Sequence, residues 1–177
     1  RQGGRRRRVA RKILGAFGWM GGNKLTLRAL ELARQIPSPH VVHDLLQALR
    51  DVLDAQHAAS SWGEGIPSPR ESMDYAEQSS GAVYSFACRT GARLAGAERS
   101  VITGLGRYGF HLGVASSIAE DWKVLSQPED KAISALQDFA ASGRPPYPLP
   151  LLADDNPELK ALWISLRQEN KPETALR

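Results

Sequence analysis

An all-α fold is the class this sequence predicts, and three observations carry the prediction. Apolar residues recur at spacings of three and four through most of the chain. No stretch shows the strict alternation of a half-buried strand, and proline, glycine and serine gather between the periodic segments, where helices have to stop. At 177 residues and 42% hydrophobic, the chain is long enough for one domain with a packed core. No apolar run approaches the roughly 18 to 20 residues needed to cross a bilayer, and no charged start, apolar stretch and small-residue site mark a secretory leader.

The elements follow in order. In "GNKLTLRALELARQI", Leu25, Leu27, Leu30 and Leu32 with Ala29 and Ala33 form a broad apolar face of strong helix formers. After the turn-like "PSP", the segment "VVHDLLQALRDVLDAQ" spaces Val42, Leu45, Leu46, Leu49, Val52, Leu53 and Gln56 as an amphipathic helix does. "SWGEGIPSP" is a loop, since two glycines and two prolines would not survive in a helix interior. "SPRE" then reads as a helix start: Ser68 as N-cap, Pro69 in the first turn, and Glu71 completing a capping box. That helix is expected to run to "GARLAG".

"AERSVITGLGRYGFHLGVASSIAEDWKVL" predicts a long helix in which Gly104, Gly106, Gly109 and Gly113 each cost about 1 kcal/mol relative to alanine. So many glycines need close-packed neighbours, and the segment is expected to be central and buried. "PEDKAISALQDFAAS" and "NPELKALWISLRQEN", the latter started by Asn156 and Pro157, predict two shorter helices. Between them "GRPPYPLP" is expected to be rigid and extended. The domain reading is a basic arm over residues 1–12 and one helical domain over 13–177.

The net charge of +4 is unevenly placed. Arg1, Arg5, Arg6, Arg7, Arg8, Arg11 and Lys12 lie at the start with no acid among them, and without them the remainder is net acidic. Such an arm fits contact with RNA or an anionic membrane, an organellar targeting segment, or a solvated basic terminus. The one cysteine, Cys88, can form no internal disulfide and cannot alone build a structural zinc site, so a reducing intracellular compartment is expected. The arm points to the mitochondrial matrix or another organelle, with the cytoplasm as the alternative.

Four segments, in order, resemble the trans-prenyltransferases, the all-helical family of farnesyl, geranylgeranyl and polyprenyl diphosphate synthases. "GGNKLTLRALELA" is similar to the family's "AGDxLLxxALELL", with Asn23 where an aspartate stands. "AEQSSGAVYSFACRTGARLAG" is similar to "xxxKTGALxxxAxxLGAxxAG", "RYGFHLGVASSIAEDWKVL" to "xYGxxLGxAFQIxDDxLDx", and "SGRPPYPLPLL" to "xGKxTYPLLxx". The resemblance implies an isoprenoid-synthase-type helical bundle. The family's first aspartate-rich motif and its first helices have no counterpart in residues 1–177, so the expectation is a bundle lacking its first helices.

In active members the second aspartate-rich motif holds Mg²⁺ against an allylic diphosphate with three carboxylates, as a hard cation requires. The matching positions here are Glu120, Asp121 and Val124. The diphosphate lysine falls on Ser79 and its neighbouring threonine on Ser80. The Phe-Gln pair falls on Ser116 and Ser117, the lysine of "GK" on Arg144 and the threonine after it on Pro146. Gln56 is retained, while the aspartate three residues later is Ala59.

These departures imply a non-catalytic, prenyl-diphosphate-synthase-like subunit, regulatory or structural in a larger assembly. The competing expectations are a fragment of an active synthase, which would use Mg²⁺, and a basic scaffold contacting RNA or anionic lipid through Arg5, Arg6, Arg7, Arg8, Arg11 and Lys12. On the first reading no cofactor and no catalytic residue are expected, and Glu120 with Asp121 is the only weak metal candidate. Adjacent helical residues point about 100° apart, so a solvated helix end is the plainer account of that pair. His40, His43, His57 and His111 match no zinc spacing. Cys88 is expected to be a buried small hydrophobe, and Trp62, Trp122 and Trp163 to be core or half-buried. Without the first helices, apolar surface on 25–32 and 101–118 is expected to need a protein partner or a second copy, with Leu25, Leu27 and Leu30 at the contact.

Overall fold

The structure, a computed structural model, describes residues 21–170 apart from Glu64; the basic arm with Arg5, Arg6, Arg7, Arg8, Arg11 and Lys12 lies outside the described residues. Every regular element among the described residues is helical, and none is a strand. The chain divides into two compact units, Arg1–Leu46 and Gln47–Arg177.

In the first unit, helix α1 covers residues 21–33, and α2, Pro39–Ser60, begins after the proline-flanked turn. Ala33, Val41 and Leu45 are buried. Leu25 and Leu27 are 73% and 62% exposed, whereas Leu30 is half-buried. The apolar face that the leucine spacing builds on α1 is therefore only partly covered.

In the second unit, α3 (Pro69–Ala76) starts as the sequence predicts. The Ser68 hydroxyl accepts from the Glu71 amide at 3.2 Å, and the Ser68 amide donates to the Glu71 carboxylate at 2.7 Å, so two orphan donors are satisfied reciprocally. The expected single helix to "GARLAG" is interrupted by a five-residue π-helical turn, Glu77–Gly81, before α4 (Ala82–Leu94). "EQSSG" is the weakest helix-forming stretch in this element, and the Ser79 hydroxyl bonds back to the Tyr75 carbonyl. The helix ends on Gly96, at φ 72°, where Ala97 donates to Ala92 and Gly96 to Arg93.

Helix α5 (Arg99–Leu125) packs on α4 and the π turn through a stripe of Gly106, Gly109 and Gly113. A Cβ on Gly113 would lie 2.4 Å from the Ser80 carbonyl oxygen, and one on Gly109 would lie 2.5 Å from that of Tyr84. Here the helix spacing is set by backbone against backbone, which is what the glycines supply. The expectation of a buried α5 holds for that face alone. Val101, Leu105, Tyr108, Leu112 and Trp122 are exposed, and a Cβ on Gly104 would meet open space.

A smaller core forms where α6 (Glu129–Ser142), α7 (Pro148–Ala153) and α8 (Pro157–Asn170) meet. Ala140, Leu149 and Trp163 are buried there, with Ile66, Phe139, Leu159 and Leu166 packed around them. The Trp163 indole N–H donates to the Gly65 carbonyl at 3.3 Å, which ties the loop before α3 to α8. In "GRPPYPLP", residues 144–146 form no regular element, Tyr147 is already in the helical region, and α7 begins at Pro148. Proline has the helical φ and lacks an N–H that the first turn leaves unpaired anyway, so it begins a helix as readily as it blocks one.

Candidate functional site

Two of the expected positions, Asp121 and Arg144, meet in one ion pair. Near the C-terminal end of α5, Asp121 points inward and is only 5% exposed. Helix α6 stops at Gly143, which takes φ 82°, and that reversal delivers Arg144 to the same spot. The Arg144 guanidinium donates to both Asp121 carboxylate oxygens, at 2.8 and 2.7 Å, a bidentate arrangement. The Tyr147 backbone N–H donates a third bond to Asp121, at 2.9 Å. The guanidinium also lies over the Phe139 and Tyr75 rings, 5.0 and 5.7 Å from their centroids. Burial alone would pull the Arg144 pKa down; the hydrogen bonds and charge of Asp121 outweigh it and hold the group above its ordinary range.

This geometry decides what the two groups can do. Three of the roughly four acceptor positions of the Asp121 carboxylate are filled by donors. The void beside it, lined by Trp62, Ser72, Tyr75, Ser117, Arg144 and Tyr147, measures only about 10 Å³, at most the room for a single water. Glu120, the next residue, is exposed on another face, and Val124 offers no ligand atom. A divalent cation does not fit this donor set.

On its other side Arg144 lines an open cleft of about 490 Å³ with Gln56, Ser60, Tyr75, Ser142 and Arg167. Gln56 and Arg144 both line this cleft. Ser79 is spent on the Tyr75 carbonyl, Ser80 meets Gly113 through its backbone, and Ser116 is half-buried; none of these lines the cleft. Arg167, whose guanidinium donates to the Gly143 carbonyl at 3.0 Å, is a cleft residue that sequence reasoning missed. Its only signal was a basic residue in the last turn of a helix. A second cleft, of about 460 Å³, lies between α4 and α5 and contains none of the expected positions.

The remaining candidates separate. His40, His43, His57 and His111 are exposed, and no group of three or more metal-ligating side chains occurs among the described residues. Cys88 is half-buried against Gly109 rather than enclosed. Trp163 is core, Trp62 is half-buried beside Tyr75, and Trp122 departs from expectation at 61% exposed. Among the described residues no helix is long and apolar enough to cross a membrane.

The described residues define an all-α protein in which a bidentate ion pair joins α5 to the segment just beyond α6. No protein-family model, curated protein or solved structure matches the chain.

Proposed function

We propose that this chain serves as a non-catalytic, prenyl-diphosphate-synthase-like subunit, structural or regulatory in a larger assembly. The observation that carries the reading is the Asp121–Arg144 pair. These are two of the three charged positions at which the resemblance would put metal ligands and a diphosphate-binding cation, and here the two neutralise each other. The neighbouring expected positions offer no replacement: the Ser79 hydroxyl donates back to the Tyr75 carbonyl, and Val124 carries no polar side-chain atom. On this reading a site once shaped for diphosphate has become a clasp between α5 and the segment after α6.

The test is direct. Incubation with labelled isopentenyl diphosphate, an allylic diphosphate and Mg²⁺ is expected to give background turnover, and calorimetry with Mg²⁺ and inorganic pyrophosphate is expected to give no heat of site binding. Turnover abolished by Asp121→Asn would overturn the reading in favour of a working synthase.

A further inference from the structure

The cleft of about 460 Å³ between α4 and α5 takes no part in the clasp, and its size is that of a small-molecule site. Its floor is apolar. The half-buried Phe110 ring forms one part, and the methylene stem of Arg89 lies across buried Gly106, with Cγ and Cδ 2.6 and 2.7 Å from where a Cβ would stand. The rim is polar: Arg107 and His111, one turn apart on α5 and both exposed, line it together with half-buried Ser85 on α4.

Charge in this part of the chain is one-sided. Between Glu77 and Glu120 the sequence places Arg89, Arg93, Arg99 and Arg107 against one acid, Glu98, although the chain beyond its basic start is net acidic. Glu98 stands at the N-cap of α5, about 13 Å along the helix from Arg107. The residues three and four positions from Arg107 are Thr103, Gly104, Phe110 and His111, so no carboxylate can pair with it along the helix. Among the described residues no acidic side chain lines the cleft, and Arg107 has no hydrogen-bond or ion-pair partner. The cleft beside the clasp differs, because Arg144 is bound there to Asp121 and Arg167 to the Gly143 carbonyl.

The donors select the anion. A planar carboxylate is satisfied by one guanidinium fork, whereas a phosphate monoester presents three acceptor oxygens. The rim supplies the Arg107 fork, an N–H of His111 in either protonation state, and the Ser85 hydroxyl. Thr103 adds no donor, since its hydroxyl is given to the Arg99 carbonyl at 2.9 Å. We propose that the α4–α5 cleft binds a small organic phosphate monoester, its anionic head on Arg107, His111 and Ser85 and its apolar body against Phe110 and the Arg89 stem. The site shares no residue with the clasp or with the cleft beside it, so it stands or falls apart from the prenyltransferase-like reading.

Phenyl phosphate is the probe. Titrated calorimetrically into the full chain, it should saturate with a dissociation constant below about 1 mM. Inorganic phosphate and pyrophosphate, which lack the apolar body, and benzoate, which lacks the third oxygen, should each bind at least about tenfold more weakly. Arg107→Gln should weaken the ester at least about tenfold with helical circular dichroism unchanged, because the side chain is exposed. Arg99→Gln removes the same charge from the same helix about 12 Å away, outside the cleft, and should leave binding within about twofold. An ester that does not bind, one that binds no better than inorganic phosphate or benzoate, or one weakened equally by Arg99→Gln would overturn the proposal. So would binding that survives Arg107→Gln and is lost in Arg167→Gln, which would put the anion in the other cleft.

Discussion

At the scale of single residues, the consequential finding is that Asp121 is spent on structure. Removing one partner of a buried pair strands the other charge, a loss of about 3–5 kcal/mol, while exchanging both for apolar groups can be nearly neutral. Asp121→Asn should therefore lower the unfolding free energy by about that amount in urea titration, and adding Arg144→Met should recover part of it. Additive losses would show that the two side chains are not coupled. The glycines of α5 offer a contrast within one helix. Gly113→Ala drives a Cβ into the Ser80 backbone and should cost more than about 2 kcal/mol, whereas Gly104→Ala meets open space and should stabilise by up to about 1 kcal/mol. Thermal melts of the two variants check the opposite signs.

At the scale of elements, α3 depends on its capping box. The Ser68 hydroxyl, and after it the Ser68 backbone N–H, hold the Glu71 carboxyl below the usual glutamate range. A group whose pKa is lower in the folded than in the unfolded state contributes stability above its unfolded pKa and loses it as pH falls through the folded one. The gap in melting temperature between the native chain and Glu71→Gln should thus be fully present at neutral pH and close in acid, below the ordinary glutamate pKa. Ser68→Ala should cost about 1 kcal/mol on its own. A gap that persists in acid would show that the glutamine disturbs more than the cap. The π turn belongs to this scale too: it comes where Gly81 lets the chain lie against the Phe110 ring, at 3.0 Å for a notional Cβ.

At the scale of the molecule, the second unit has two centres of cohesion: the glycine seam between α4 and α5, and the Trp163 core between α6, α7 and α8. The Asp121–Arg144 clasp lies between them, with one partner on α5 and the other just beyond α6. Trp163→Ala removes a side chain only 3% exposed and should cost about 3–5 kcal/mol, read as a lower urea midpoint. Because the indole also holds the Gly65 carbonyl, Trp163→Phe should lose less than the alanine variant but more than volume alone would suggest. Equal stability of the phenylalanine variant and the native chain would show that this bond adds nothing.

Much of this molecule is legible in the sequence alone, and the legible part has a common cause. The helices, the capping box at Ser68 and the N-cap at Asn156, whose side chain accepts from the Leu159 amide at 3.0 Å, depend on residues within a turn of one another. The glycines of α5 announced a close neighbour because each costs helix propensity that only packing can return. What stayed hidden depends on groups that are far apart in the chain. Asp121 could have been a ligand or a surface charge until folding set Arg144, 23 residues on, against it with the Tyr147 amide alongside. Which face of α5 would be covered was equally undetermined, because a glycine stripe and a row of apolar side chains share one helix and only the position of α4 chooses between them. Local patterns specify what each segment can form; the use made of a carboxylate or an apolar face is settled by the remote groups that reach it.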